Sequence, residues 1–345
     1  MVALLHVDAD SFFASVALRS RPHLRERPVA AAAHVIITSA NYPARARGVH
    51  SAMLVADALA ACPELVVIDV PQAEIEEAAE ALFDVFHDIA RTVEPGSIEE
   101  AFLDVGTDDP GEAAMVGHAL RRRVAQQLGI PVSVGVGSTK LMAKLASRAA
   151  KPDGLHVIDA AEEARLRTEL PSSDIWGVGP KTLERLKRLG VLRIGDIDHV
   201  PAAELQRECG TLMARRLRQI REGTDDAILR PVEHRTTLSA GGSIAGYARA
   251  DKSPTALATE SVARACHRAE RAGLVASGLT LTLAPEHGGR IIQLKQALPD
   301  PTNSAAEWTP VATRLLAATS VPLLSTLTVT LTGLQSAHRV APTLF

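Results

Sequence analysis

Two adjacent carboxylates, Glu99-Glu100, lie between a Pro95-Gly96 turn and an apolar run that predicts a buried strand, Ala101–Val105. A second apolar run, Leu4–Val7, ends in the acid Asp8. Strands that bring carboxylates to one point are typical of two-metal phosphoryl-transfer sites. Taken alone, the glutamate pair is better explained as a solvated hairpin tip, because successive strand side chains face opposite sides of a sheet. Both reach one site only where the backbone turns, which the Pro-Gly pair favours.

Gly177 and Gly179 stand between two predicted helices, with Lys181 at the start of the second, and they indicate a helix-hairpin-helix. Such glycines let the backbone approach a phosphate, and the amides at the following helix N-terminus bind it. A plain inter-helix turn would also explain them. Basic residues that fit a DNA backbone follow at Arg185, Lys187, Arg188, Arg215, Arg216, Arg218 and Arg221. A solvated helix face explains any single one of these about equally well.

Three lysines bracket one predicted helix, namely Lys140, Lys144 and Lys151. A lysine beside a proline turn can reach a triphosphate as a point charge. Tyr42 and Arg45 could hold phosphate oxygens similarly. Each of these residues, taken alone, is better explained as an ordinary surface residue.

The composition limits the class of protein. The chain has 345 residues, which predicts two or more domains. A net charge of −3 argues against a uniformly basic nucleic-acid binder but allows a local basic groove. The scattered Cys62, Cys209 and Cys266 predict neither a disulfide framework nor a zinc site. Without a signal peptide or an apolar run of membrane length, we expect a soluble cytoplasmic protein with no membrane partner.

The elements that would carry these residues mix strands and helices, which predicts an α+β fold rather than regular βαβ alternation. Helical patterns dominate from about Ala160 to Thr224, and an irregular stretch follows to Thr237. The last part predicts a β-α-β-β-α-β order, with elements at Gly242–Ala248, Pro254–Ala272, Gly278–Leu283, Arg290–Leu294, Ala305–Ala318 and Leu324–Thr332.

Taken in order, several stretches match a known pattern: His6–Ala14, Ser39–Arg45, Ser97–Phe102, Ser133–Val136, Lys140–Lys144, Ala150–Gly154 and Trp176–Gly179. On these motifs the chain resembles the Y-family (translesion) DNA polymerases, in the DinB or polymerase IV class. The resemblance runs in register from Val2 to about Ile197 and more weakly to the end.

The resemblance implies an α+β right-hand polymerase with a C-terminal little-finger α+β domain. The palm would take 1–11 and 71–160, the fingers 12–70 and the helical thumb, with its helix-hairpin-helix, 161–228. A linker at 229–241, the little finger at 242–340 and a clamp-binding tail at 341–345 would follow. The implied function is template-directed, error-prone DNA synthesis past damaged bases, by two-metal nucleotidyl transfer. The implied partners of a monomer are primer-template DNA, an incoming dNTP and a sliding clamp.

An alternative is a catalytically weak or inactive paralogue that binds DNA or assembles a translesion complex. Asp8 and Glu100 favour catalysis, since an inactive paralogue has no need of carboxylates there. A plain helix-hairpin-helix protein would leave the first half of the chain unexplained.

The resemblance also implies a role for single residues. Asp8 and Glu99 would bridge two Mg²⁺ ions, joined by Glu100 and the Ala9 carbonyl. Phe13 matches the steric gate against ribonucleotides, and the adjacent Phe12 would pack more inward beside the nucleotide site. The triphosphate contacts would be Ser39, Tyr42, Arg45 and Lys151, and the DNA contacts Gly177, Gly179 and Lys181.

Three departures from the family pattern qualify these expectations. Glu99 stands where the family has Asp, and its longer side chain predicts that Mn²⁺ is preferred over Mg²⁺. The entry to the little finger is Gly241–Ala245 instead of Lys-Ser-Ile-Gly, with few basic residues in the linker. At the end, Leu344 and Phe345 match the anchors of a clamp peptide, but Ala341 replaces its Gln; a frayed terminus is the alternative.

Overall fold

The structure, a computed structural model, describes residues 3–231, 236–244, 246, 252–286, 289–319 and 323–339. The strands are β1 Leu4–Ala9, β2 Val29–Ala33, β3 Ile36–Ala40, β4 Val66–Asp69, β5 Thr92–Pro95, β6 Glu100–Asp104, β7 Val132–Gly137, β8 Leu155–Val157, β9 Thr237–Ser243, β10 Leu274–Pro285, β11 Ile292–Thr302 and β12 Leu324–Ser336. The α-helices are α1 Phe12–Arg19, α2 Tyr42–Arg45, α3 Val55–Ala61, α4 Gln72–Ile89, α5 Pro110–Leu128, α6 Lys140–Ala150, α7 Ala160–Glu169, α8 Pro180–Arg188, α9 Ala202–Cys209, α10 Thr211–Glu222, α11 Pro254–Arg271 and α12 Ala305–Ala317.

The chain divides into two compact units. The first comprises residues 1–10 and 79–231, and the second comprises 11–78 and 232–345. The division falls within α4, whose first residues belong to the second unit.

The sheet of the first unit has the strand order β5-β6-β1-β7-β8. Its central strand, β1, pairs antiparallel with both β6 and β7, while β7 and β8 run parallel. A central strand buried on both faces requires an apolar sequence, and the Leu4-Leu5 run meets that requirement. The sheet therefore carries Asp8, at the end of β1, into the middle of the unit.

Helix α6 lies against one face of this sheet, where β7 has glycine. Gly135 lies opposite His6 in the register of β7 with β1. A Cβ at Gly135 would lie 2.7 Å from the Ala146 carbonyl carbon and closer still to other backbone atoms of α6. Helix α5 covers the other face, where Gly117 faces Leu5 and Val134. The glycines of the Ser-Val-Gly-Val-Gly strand thus allow α6 to pack backbone against backbone.

The rest of the first unit is helical, as the sequence predicts for 160–224. Helices α7 to α10 and a 3₁₀ segment, Ile194–His199, enclose their own apolar core, which includes Leu186, Ile194, Leu205, Leu217 and Ile220.

The second unit contains two sheets, with the orders β3-β2-β4 and β11-β10-β12-β9. The latter buries its apolar face against α11 and α12, around the fully buried Trp308. The order β9-α11-β10-β11-α12-β12 is the predicted β-α-β-β-α-β order.

One predicted strand is misplaced. A strand is observed at Thr237–Ser243, so it begins earlier than the expected Gly242–Ala248 and inside the stretch predicted as linker, 229–241. Of the expected strand, Ala245, Tyr247 and Ala248 lie outside the described residues. The reason is the alternation around Leu238 and Ala240, which are buried while their neighbours face outwards. Pairing with β12 then fixes its register, Leu238 opposite Leu331.

The mixed helix and sheet content confirms the predicted α+β class. Of the helices in the described part of the chain, none has the length and apolar character needed to cross a membrane. The proposed clamp-binding residues Leu344 and Phe345 lie outside the described residues.

Candidate active site

Asp8 and Glu100 form a cross-strand pair. They are direct partners in the antiparallel register of β1 and β6, so their side chains leave the same face of the sheet. Two like charges directly opposite each other destabilise a sheet unless a cation offsets them. The opposed acids therefore concentrate negative charge at one point of the sheet, where cations must offset it.

Two lysines of one helix segment supply the positive charge. Lys144 Nζ is 2.5 Å from Glu100 Oε2, and Lys151 Nζ is 2.5 Å from Asp8 Oδ1. Both ion pairs are partly buried, with exposed side-chain fractions of 18 to 24%. Ion pairs that are shielded from water in this way interact more strongly than surface pairs.

His6, two residues before Asp8 on β1, lies beneath the acid pair and is fully buried. Its Nδ1 is 2.7 Å from Ser147 Oγ, and its Nε2 lies 3.4 Å from Glu100 Oε2. Burial lowers the pKa of His6, although the nearby Glu100 acts in the opposite direction. Contacts with His6 and Lys144 in turn lower the pKa of Glu100 to about 2, against the effect of its partial burial. Glu100 is therefore ionised and His6 neutral at neutral pH.

Asp10 joins the site to the turn that follows α6. Its buried carboxylate accepts hydrogen bonds from Ser133 Oγ (2.8 Å) and the Asp153 backbone N–H (2.7 Å), and Lys151 Nζ lies 3.6 Å from its Oδ1. These contacts hold the Lys-Pro-Asp-Gly turn against β1. They thereby fix the position of Lys151.

The predicted catalytic residue Glu99 lies at the turn before β6. Its carbonyl accepts a 3.0 Å hydrogen bond from the Ala9 backbone N–H, and its own N–H lies 3.2 Å from Ser97 Oγ. Among the described residues, the acids and histidines whose ligand atoms approach within 4.8 Å of one another are His6, Asp8 and Glu100. The Glu99 carboxylate is outside that cluster.

The donor set fits a divalent metal ion. Carboxylate oxygens suit Mg²⁺ and Mn²⁺, and an imidazole nitrogen favours transition metals over Mg²⁺. Of the predicted ligands, the structure brings Asp8 and Glu100 together, with the buried Ala9 next to Asp8 in the chain.

The other predicted nucleotide contacts, apart from Lys151, belong to the second unit. Ser39 is buried on β3, and Asn41 caps the short helix α2, accepting from the Ala44 N–H at 3.1 Å. Arg45 lies over the Tyr42 ring, 5.1 Å from its centre, and donates to the Ala40 carbonyl at 2.8 Å.

The two phenylalanines at the start of α1 differ in exposure. Phe12 is buried and Phe13 is half-buried, and their rings meet edge to face at 5.8 Å. The inward packing expected of Phe12 is observed, and its contact with a nucleotide stays a prediction. The accessible ring at this position is Phe13.

At the predicted hairpin, Gly177 has φ +89°, a conformation that favours glycine. Gly179 is the N-cap residue of α8, Lys181 is exposed in its first turn, and Arg216 lies over the Trp176 ring at 5.5 Å. The hairpin therefore leaves a helix N-terminus and Lys181 accessible to a phosphate.

Sequence reasoning did not assign His6, Asp10 or Trp176 to the site. His6 and Asp10 flank Asp8 at the two-residue strand period, which was a usable signal for a shared face. Trp176 contacts Phe102, with ring centres 5.5 Å apart, and lies 5.4 Å from Lys144 Nζ. No local sequence pattern predicts those contacts, because they join residues that are distant in the chain.

Comparisons with known proteins show what this chain is similar to. The model of the impB/mucB/samB family matches residues 7–148, and that of the family's C-terminal domain matches 254–344. The DNA polymerase IV of Alkalilimnicola ehrlichii is 37% identical over 245 residues, covering 69% of this chain and 68% of the relative. That of Ralstonia nicotianae is 35% identical over 246 residues, with coverage of 69% and 68%.

Solved structures with the same fold include a Y-family DNA polymerase chimera, Dbh-Dpo4(243-245)-Dbh. Its TM-score is 0.72 at 20% identity, and the match covers 97% of this chain and 99% of that one. An insertion ternary complex of Dbh DNA polymerase gives a TM-score of 0.70 at 20% identity, with coverage of 96% and 98%. At this identity the likeness concerns the fold alone, and it confirms the predicted fold class.

Proposed function

Because this chain belongs to the impB/mucB/samB family of Y-family polymerases, we propose that it is a template-directed DNA polymerase that synthesises DNA past damaged bases. The observation that carries the proposal is the pairing of Asp8 with Glu100 across β1 and β6, with a lysine 2.5 Å from each. A non-catalytic DNA-binding subunit would gain nothing from two opposed acids at the end of a central strand.

The reaction depends on a divalent metal ion, and we propose two Mg²⁺ ions. Asp8 and Glu100 would hold them, with Glu99 and the Ala9 carbonyl completing the ligand set. Bound ions of this kind lower the pKa of a primer 3′-hydroxyl and neutralise the triphosphate. Glu99 would join them from the turn before β6, where its carbonyl accepts a hydrogen bond from the Ala9 N–H.

The substrates are primer-template DNA and an incoming dNTP. Lys151 would bind the triphosphate as a point charge, with Ser39, Tyr42 and Arg45 as further contacts. Phe13 would exclude the ribose 2′-hydroxyl. Gly177, Gly179 and Lys181 would bind a phosphate of the DNA backbone.

The domain boundaries predicted from the resemblance are part of this proposal. They comprise the palm (1–11 and 71–160), fingers (12–70), thumb (161–228), linker (229–241) and little finger (242–340). Sliding-clamp binding by the tail, a monomeric state and a cytoplasmic location stay predictions.

Primer extension on an undamaged and an abasic template, with Mg²⁺ or Mn²⁺, tests the function. We expect wild-type extension on both templates, and none from Asp8→Asn or Glu100→Gln. Lys295→Met, an exposed substitution on β11, is the control for preparation quality. DNA binding without extension in either cation would instead support the inactive paralogue.

Glu99→Asp tests the metal preference in the same assay. If the longer side chain of Glu99 fits Mg²⁺ geometry poorly, the variant gains Mg²⁺ activity and its preference for Mn²⁺ shrinks. If the variant is slower in both cations, the site instead accommodates the glutamate side chain better than the shorter aspartate. Glu99→Ala should abolish extension in either case, and full activity would remove Glu99 from the site.

A further inference from the structure

Three different groups surround the Lys144 ammonium. Its Nζ lies 2.5 Å from Glu100 Oε2, 3.3 Å from His6 Nε2 and 5.4 Å from the centre of the Trp176 ring. A carboxylate, an imidazole lone pair and an indole face each attract a cation. We name Glu100, His6 and Trp176 together the ammonium cage.

The hydrogen bonds around His6 determine which of its nitrogens faces the ammonium. Ser147 Oγ lies 2.9 Å from the Lys144 carbonyl, which can only accept, so the hydroxyl donates its proton there. The same oxygen, 2.7 Å from His6 Nδ1, therefore accepts from Nδ1–H. That arrangement gives Nε2 the lone pair of the neutral ring, and the lone pair is directed to Lys144.

Aromatic packing connects the remaining walls of the cage. The His6 ring lies 4.6 Å from the Phe102 ring, and Phe102 lies 5.5 Å from Trp176. Because His6 and Phe102 are fully buried and opposite each other across β1 and β6, they cannot shift independently of the strands that carry Asp8 and Glu100. The cage is thus rigidly connected to the catalytic acids.

We propose that Lys144 is a positioning residue for Glu100, and that its ammonium competes with the divalent cation for this carboxylate. The inference rests on the proposed function, since it concerns the same metal site. Lys144 holds Oε2, and Oε1 lies beside Gly96, which has no side chain to obstruct it, so the Lys144 contact orients the carboxylate before a substrate arrives. The same attraction raises the cation concentration that the site needs.

Cation binding measured without DNA or nucleotide tests the competition. Lys144→Met removes the ammonium but keeps an unbranched apolar side chain, and Lys295→Met makes the same change at an exposed position of β11. In calorimetric titrations of the full chain with Mn²⁺ alone, Lys144→Met should bind about 10-fold tighter than wild type, because a like charge has left the site. Lys295→Met should bind as wild type does.

Single-turnover primer extension tests the positioning. At saturating Mn²⁺, Lys144→Met should be about 10- to 100-fold slower, while its half-saturating Mn²⁺ concentration falls. His6→Phe keeps the ring packing against Phe102 but removes the Nε2 lone pair, so it should move both quantities in the same directions by less. A damaged fold, monitored by thermal unfolding, would slow the reaction without tightening Mn²⁺ binding.

Unchanged or weaker Mn²⁺ binding by Lys144→Met overturns the competition. An unchanged rate at saturating Mn²⁺ overturns the positioning role. Both outcomes differ from failure of the proposed function, which is a wild type that extends no primer in either cation. The binding measurement decides the competition even then, because it requires no polymerase activity.

Discussion

Gly135→Ala should move Lys144 and Lys151 away from Glu100 and Asp8 without changing a catalytic side chain. Gly135 lies on β7 opposite His6 and directly beneath α6. A Cβ there would stand 2.7 Å from the Ala146 carbonyl carbon, whereas ordinary contact begins at 3.4 Å. The obstructing atoms are backbone, so no side chain can rotate away. Helix α6 must recede by more than the 0.7 Å that the Ala146 carbon alone requires, because the Ser147 nitrogen and the Ala143 carbonyl oxygen would lie closer still.

The expected cost has a structural and a catalytic part. Overpacking of this kind costs about 1–3 kcal/mol of folding stability. Because α6 carries Lys144 and leads into Lys151, its recession moves both ammoniums away from Glu100 and Asp8. Misplacement of about 1 Å can reduce a reaction rate roughly 100-fold. We therefore expect a roughly 100-fold loss in single-turnover extension, equivalent to about 2.7 kcal/mol of activation free energy, in a variant that stays folded at the assay temperature.

Thermal unfolding and single-turnover extension of Gly135→Ala measure the two parts. Gly242→Ala, on β9 of the second unit, is the matched control because a Cβ there would meet only the Leu257 Cδ1 atom at an ordinary 3.5 Å and Gln72 at 4.0 Å. It should leave stability and rate within the error of wild type. If Gly135→Ala does the same, the close packing of α6 on β7 does not position the lysines.

In the absence of divalent ions, acid should destabilise the wild type more than Glu100→Gln. The folded-state pKa of about 2 lies below the ordinary 4.5, so this stabilisation is present above pH 4.5 and fades towards pH 2. Urea unfolding between pH 6 and 3.5 should separate the two proteins by about 1 kcal/mol; equal pH slopes would contradict it. Phe13→Ala should strongly raise ribonucleotide incorporation and retain deoxynucleotide use. A wild type that incorporates both sugars equally would contradict the steric-gate role of Phe13. Deleting Leu344 and Phe345 should abolish stimulation by the sliding clamp but not extension without the clamp. Unchanged stimulation would support the alternative of a frayed terminus.

Local sequence patterns predict the long helices well. The helix expected at 140–149 is observed as Lys140–Ala150, and the one expected at 254–272 as Pro254–Arg271. Both have a capping side chain that accepts from the first turn, Thr139 and Ser253 respectively. Helix periodicity and caps are properties of neighbouring residues, so no knowledge of the fold is needed to find them.

Strand boundaries were predicted less well, for a physical reason. The helix expected to reach Thr92 ends at Ile89, and Thr92–Pro95 forms an edge strand instead. This strand consists of Thr, Val, Glu and Pro and exists because β6 supplies its partner, Val93 opposite Leu103. Likewise β11 continues through Pro299 and Pro301 to Thr302, far beyond the predicted Leu294. Pairing partners set both limits, and a partner distant in sequence leaves no local pattern.

The same reasoning divides the active site into a predictable and an unpredictable part. The spacing of two between His6 and Asp8 places them on one strand face, and the spacing of seven between Lys144 and Lys151 spans about two helical turns. Each pattern predicts one aligned pair. Tertiary contacts bring the two pairs together. The register of β1 and β6 sets Asp8 opposite Glu100, and the glycines of β7 allow α6 to pack closely on the sheet. Since the two ion pairs link residues 143 and 44 positions apart, only the sheet order could bring each lysine to its acid.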